Sequence, residues 1–260
     1  MSPERFHLGG AEILVGEDLD EAIQIATGQF VALARYRAAA GRELYVALSG
    51  GKAPQPMFRK LVQEPFVSLV PWKHIHFFWG DERNVPPGDP ESNYSMANDL
   101  LFSHVAVPRS SIHRIPAGDG TAVEAADLYE KTLRAIVPQA NGRPRFDLVM
   151  LGVGTNGHTA SLFPHRPTLH ETERLVVADH VDEVNGWRVS LTLPVLNNAA
   201  QITFLATGGE KAEVAKKVIE GSRDPESTPA QLIAPSEGNL TWILDAAAAR
   251  ELHRSASGTV

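Results

Sequence analysis

Leu44-Tyr45-Val46-Ala47-Leu48-Ser49-Gly50-Gly51 decides the fold. Five apolar or aromatic residues in a row, closed by a serine and two glycines, read as a buried strand feeding a tight turn. A helix is expected from Pro54, because proline suits a first helical turn. Upstream, Leu19, Ile23, Ala26, Phe30, Leu33 and Ala34 recur at helical spacing over residues 17–40, and Gly41 is a plausible stop. Helix, strand, glycine turn, helix is the unit of a parallel sheet covered by helices.

The unit recurs along the chain. His74-Ile75-His76-Phe77-Phe78-Trp79 is a second strand, running into Gly80-Asp81-Glu82-Arg83. Phe146 to Leu151 is a third, ending in Gly152-Val153-Gly154. Further strands are expected at 175–178, 188–193, 202–206 and 240–244, and helices at 92–102, 122–136 and 210–220. The expected fold is α/β: a Rossmann-like, open, mainly parallel sheet with helices on both faces, three layers in a single domain over residues 1–260, with a loose tail at 251–260. Ser49, Asp81, Gly152–His158 and Thr207–Lys211 each follow a strand. In such a sheet those ends share one edge, where ligands bind.

Composition removes several classes of function. The chain has 260 residues, 43% hydrophobic and 21% charged, which allows a sizeable core. A formal net charge of -7 argues against nucleic acid or an anionic membrane as partner, while leaving room for a locally basic pocket. With no cysteine there is no disulfide, no thiolate nucleophile and no thiolate metal site. The start, Met1 to His7, lacks the apolar run of a signal peptide, and no stretch reaches the length of a membrane span. The expected location is cytoplasmic. The other nine histidines show no metal-binding i, i+4 pair with an acidic partner, so no metal is expected.

Four segments carry candidate chemistry. Ser49, Gly50 and Gly51 offer backbone N–H groups at a helix N-terminus, an anion site to which Lys52 adds charge; the spacing is not that of a Walker motif. In Gly80-Asp81-Glu82-Arg83 a carboxylate pair adjoins an arginine whose planar fork suits a phosphate; an Asp/Arg pair closing a loop is the blander alternative. Gly152-Val153-Gly154-Thr155-Asn156-Gly157-His158 superficially resembles a dinucleotide fingerprint, with Gly157 at the third glycine's place, but polar residues interrupt the run, it lies past the middle of the chain, and no clear acidic ribose ligand follows. It reads instead as a loop presenting a histidine, the usual general base near neutral pH. Arg188 and Lys211, at the start of an expected strand and helix, are candidate cations of the same cleft.

In order along the chain, these pieces resemble the 6-phosphogluconolactonases, which share a superfamily with glucosamine-6-phosphate isomerases/deaminases. The resemblance rests on Leu48-Ser49-Gly50-Gly51 with Pro54, Trp79-Gly80-Asp81-Glu82-Arg83 with Val85-Pro86, Ser92-Asn93-Tyr94, Leu151 to Pro164, Arg188-Val189-Ser190-Leu191-Thr192 with Pro194 and Asn197, and Thr207-Gly208 with Lys211-Ala212. The run Gly157-His158-Thr159-Ala160-Ser161-Leu162-Phe163-Pro164 is particular to the lactonase branch. The resemblance implies hydrolysis of 6-phospho-D-glucono-1,5-lactone to 6-phosphogluconate in the oxidative pentose phosphate pathway, with neither metal nor cofactor. It implies His158 as general base, Asp81 and Arg83 as further catalytic positions, and Ser49, Gly50, Gly51, Arg188 and Lys211 as phosphate contacts. The expected partner is a small phosphorylated sugar lactone, acted on by a monomer or small homo-oligomer.

Two positions depart from the family pattern. Asn156 stands where many relatives have aspartate; a neutral amide orients the histidine without raising its basicity. Lys52-Ala53-Pro54 replaces a hydroxyl-bearing turn, trading a donor for a charge. The rival functions are an amino-sugar-phosphate isomerase/deaminase using Asp81 as a carbon base, and a sugar-phosphate sensor without activity.

Overall fold

The computed structural model describes residues 3–253. Its strands are β1 Glu4–Leu8, β2 Ala11–Gly16, β3 Leu44–Leu48, β4 Ile75–Trp79, β5 Asp81–Arg83, β6 Gln139–Ala140, β7 Arg143–Pro144, β8 Leu148–Leu151, β9 Val176–Val181, β10 Gly186–Leu191, β11 Gln201–Ala206 and β12 Asn239–Asp245. Its α-helices are α1 Leu19–Ala39, α2 Gln55–Leu61, α3 Phe66–Leu69, α4 Asn93–Leu100, α5 Ala122–Ile136, α6 Leu193–Leu196, α7 Ala212–Ile219 and α8 Ala246–Ala249.

Seven strands form the main sheet in the order β1-β2-β12-β11-β8-β3-β4. Every neighbouring pair is parallel except β1–β2 at one edge. Chain order reverses between β3 and β8: from β3 the chain moves outward to β4, then returns to β8 on the other side. A switch point of this kind opens a crevice at the carboxyl ends of the two strands. Ser49 and Gly152 are the residues that follow β3 and β8, and a Cβ on Gly152 would lie 3.7 Å from Ser49 Oγ.

The unbroken apolar runs follow from burial on both sides. On β4, Phe77 meets Phe30 of α1 at a centroid distance of 6.5 Å, while its neighbour Phe78 meets Phe146 at 5.3 Å. On β11 and β12, Phe204 and Trp242 stack at 4.1 Å. One apolar cluster of such residues runs through the sheet and its helices; each large side chain buried this way contributes roughly 1.5–3 kcal/mol. Local signals set the helix ends. Asp18 caps α1 by accepting from Glu21 N–H, and Thr121 with Glu124 forms a capping box on α5.

Three features were not expected from the sequence. An N-terminal hairpin adds β1 and β2 to the sheet, turning through Gly9 and Gly10, both at positive φ. The expected strands near 175–178 and 188–193 form β9 and β10, which do not enter the main sheet. Joined by a short turn with Asn185 in the left-handed region, they are an antiparallel hairpin. They pair with β5 in a second, three-stranded sheet, β5-β10-β9. Finally, the expected tail begins inside the packed body: Leu252 is buried, and His253 Nδ1 lies 2.6 Å from Glu220. The rest of that tail, 254–260, lies outside the described residues.

Candidate active site

The switch point holds a cleft of about 470 Å³. Its walls include Ser49, Gly50, Gly51, Lys52, Asp81, Arg83, Gly154, His158 and Lys211. Eight of the ten candidate residues therefore reach one place from four separate strand ends. Asn156 and Arg188 are not among the wall residues: Asn156 bonds His158, and Arg188 pairs with Arg83 on the neighbouring strand. Among the described residues, no three His, Asp or Glu side chains converge to hold a metal ion.

His158 is held on three sides. Its ring stacks on Phe163 at 4.3 Å and an interplanar angle of 17°. An edge of the ring lies against Gly154, where any Cβ would stand 2.1 Å from Cε1. The loop is closed by Gly154 N–H donating to the His158 carbonyl and Gly157 N–H to the Gly154 carbonyl. Asn156 Oδ1 accepts from His158 backbone N–H at 3.2 Å and lies 2.6 Å from Nδ1. A backbone N–H can only donate, so this atom is the amide oxygen. Nδ1 therefore carries the ring proton and Nε2 is left as the basic nitrogen.

Burial is the main influence on the imidazole, and it lowers the pKa. Asp81 opposes that shift, and Lys211, Arg188 and Arg83 reinforce it. Asp81 thus supplies across the cleft some of the negative charge that Asn156 lacks, through space; its own hydrogen bond goes elsewhere, accepting from Ser161 Oγ at 2.6 Å.

The alternation of β5 sorts Gly80-Asp81-Glu82-Arg83. Successive strand residues face opposite ways, so Asp81 and Arg83 share the cleft face while Glu82 does not. Glu82 is buried and accepts from Arg83 N–H, Ser92 Oγ, Asn93 N–H and Tyr94 N–H at 2.7–3.0 Å. Desolvation raises its pKa and these backbone donors oppose the rise. It is an anchor for the first turn of α4. The carboxylate pair read from the sequence is therefore split into one cleft residue and one structural residue.

Across the ladder, Arg83 pairs with Arg188 and Asp81 with Ser190. Directly opposed residues point to the same side, so two guanidinium groups stand together. Burial pushes the Arg188 pKa down, Arg83 pushes it further, and Asp81 opposes. Like charges in register repel, and a bound dianion relieves that cost. Arg188 sits within its strand and does not open it. Lys211 ends a short 3₁₀ turn before α7, and its Nζ donates to the Val153 carbonyl at 2.9 Å, tying the α7 end of the cleft to the histidine loop. Gly51 has φ +80, a conformation glycine adopts freely. Lys52 is exposed at the rim.

Three supporting residues had no role in the sequence reading: Phe163 under the imidazole, Ser161 on Asp81, and Asn93 between Gly50 and Asp81. All lie inside quoted motifs, but their partners are distant in sequence.

A Rossmann-like sheet with a histidine and a cationic wall at its switch point is the plan of an α/β protein that binds a small anionic ligand. A family model described as "Glucosamine-6-phosphate isomerases/6-phosphogluconolactonase" matches residues 17–242. The chain is 39% identical over 209 residues to a 6-phosphogluconolactonase of Haemophilus influenzae, covering 80% of this chain and 88% of that one. It is 34% identical over 247 residues to the 6-phosphogluconolactonase of Mycobacterium tuberculosis, covering 93% and 98%. The solved 6-phosphogluconolactonase of Trypanosoma brucei superposes with a TM-score of 0.85 at 28% identity, covering 95% of this chain and all of that one. The chain belongs to the glucosamine-6-phosphate isomerase/6-phosphogluconolactonase family.

Proposed function

We propose that this protein hydrolyses 6-phospho-D-glucono-1,5-lactone to 6-phosphogluconate in the oxidative pentose phosphate pathway. The observation that carries the proposal is a neutral, oriented imidazole facing a cleft with a cationic wall. His158 Nε2 takes a proton from the water that attacks the lactone carbonyl, then returns it to the departing ring oxygen. A lactone is an activated ester, so no covalent intermediate is required. Asn156 holds the tautomer. Asp81, fixed by Ser161, favours the imidazolium that forms during attack.

Arg83, Arg188, Lys211, Lys52 and the Ser49-Gly50-Gly51 turn hold the phosphate. Binding energy from that remote group positions the ring against the histidine loop. The protein acts on a small molecule without nucleic acid, membrane, metal or cofactor, as a monomer or small homo-oligomer in the cytoplasm. No helix among the described residues is long and apolar enough to cross a membrane.

The test is the decay of freshly made 6-phosphogluconolactone, compared with its spontaneous hydrolysis. The wild type should accelerate it, and His158→Ala should lose most turnover while still binding 6-phosphogluconate. Ammonia release from glucosamine 6-phosphate would instead indicate the isomerase/deaminase. Binding without turnover of either would indicate a sensor.

A further inference from the structure

Asn93 is built into the cleft in a way that the proposed chemistry does not yet use. It is the first residue of α4, and only 2% of its surface is exposed. Its backbone N–H is spent on Glu82, and its side-chain Nδ2 donates to the Asp81 carbonyl at 2.9 Å. Oδ1 lies against Gly50, where a Cβ would come within 2.0 Å of it. The side chain is part of the cleft wall. Among the described residues Oδ1 has no hydrogen-bond donor. A largely buried amide with one end anchored and its oxygen left open to the cleft is preset to accept a hydrogen bond from a group bound there.

Its position narrows what that ligand group is. Asn93 stands between Gly50, in the turn assigned to the phosphate, and Asp81, on the side of His158. A sugar held at both ends passes its ring over this point. The cations already serve the anionic end of the substrate. Oδ1 can only accept, so it selects a hydroxyl.

We infer that Asn93 Oδ1 accepts a hydrogen bond from a ring hydroxyl of the phosphorylated lactone and is a specificity-determining residue. The inference rests on the lactonase reading given above.

The test compares four substrates: 6-phosphogluconolactone and its 2-deoxy, 3-deoxy and 4-deoxy forms. For the wild type, kcat/KM should fall about tenfold or more for one of the three. Asn93→Ala should lose a similar factor on the parent lactone and less than about threefold on that deoxy form, because the partner hydroxyl is already gone. Equal losses on all four substrates would overturn the inference and leave Asn93 a purely structural link. Should Asn93→Ala fail to fold, Asn93→Asp keeps the acceptor oxygen and the volume while losing the donor to Asp81. Its ratio of parent to deoxy kcat/KM should stay within about threefold of wild type whatever its absolute rate; collapse of that ratio overturns the inference. A wild type that hydrolyses the lactone but discriminates against none of the deoxy forms also overturns it, leaving the lactonase reading intact. A wild type that does not accelerate lactone hydrolysis removes both.

Discussion

Gly154→Ala places a methyl group where the His158 imidazole lies. The new Cβ would stand 2.1 Å from Cε1, 2.2 Å from Nδ1 and 2.9 Å from Asn156 Oδ1. Extending 2.1 Å to an ordinary contact of 3.4 Å requires a shift of about 1.3 Å. The ring cannot make that shift in place, because its face is stacked on Phe163 and its Nδ1 is tied to Asn156. A displacement of about 1 Å at a reacting group costs on the order of 100-fold in rate, and a general base contributes roughly 10²–10⁴-fold in all. The expected loss in kcat is therefore about 100-fold, or ~2.7 kcal/mol of transition-state stabilisation. Gly154 does not have positive φ, so the backbone accepts alanine and the strain is confined to the contact with the ring; the overpacking should cost about 1–3 kcal/mol of stability, which melting measured beside kcat separates from loss of the fold. The cations are untouched, so KM should stay within about threefold. Rates are read from release of 6-phosphogluconate from fresh lactone, corrected for spontaneous hydrolysis. A kcat within threefold of wild type, or a loss confined to KM, would show that the imidazole position does not govern the reaction.

Two pH predictions follow from the same geometry. As the proposed general base, His158 acts unprotonated, and its pKa is lowered, so kcat/KM should rise with pH through a midpoint below the ordinary histidine value of about 6.5 and be level at neutrality. Asn156→Asp puts a carboxylate beside Nδ1 and should move that midpoint upward; an unchanged profile would contradict the contact. Away from the cleft, His113 Nε2 lies 2.9 Å from His76 Nδ1, and its ring stacks on Phe78 at 4.5 Å. Burial, then His76, lowers its pKa to about 4. Because the folded value lies below the unfolded one, the unfolded chain takes up the proton first. Stability present above about pH 6.5 is then lost as pH falls toward 4, by about 2 kcal/mol after allowance for partial exposure. His113→Phe should flatten this slope in urea midpoints measured between pH 7 and pH 4.5, and parallel slopes would refute it.

Much of this was legible in the sequence because it depends on local pattern. The apolar runs at Leu44–Leu48 and around Phe77-Phe78 announced buried parallel strands, and the helical pattern over 122–136 gave α5. The convergence of Ser49, Asp81, His158 and Lys211 followed from placing each after a strand in one sheet. What escaped depended on partners distant in sequence. Nothing near residues 176–191 states that this hairpin pairs with β5 and not with the main sheet. Read as the end of the preceding strand, Asp81-Glu82-Arg83 presents Glu82 as half of a carboxylate pair. As a strand, the same three residues face alternate ways. The Gly9-Gly10 turn was a readable hairpin signal that went unused. Asn93 and Ser161 look like ordinary polar residues until Asp81 is seen to lie between them.

The shortness of β5 has a consequence for how this chain can vary. With only three residues, it assigns one side chain to the interior and its two neighbours to the cleft. Deleting or inserting a single residue between Gly80 and Asp81 would exchange those assignments. Two charges would be driven into the packed interior beneath α4, and the first turn of that helix would lose its anchor. A one-residue length change here should therefore abolish both stability and turnover. An insertion of equal size in the exposed turn between β9 and β10 should be far better tolerated. Length at residues 80–84 is as much a part of the site as the identity of any residue in it.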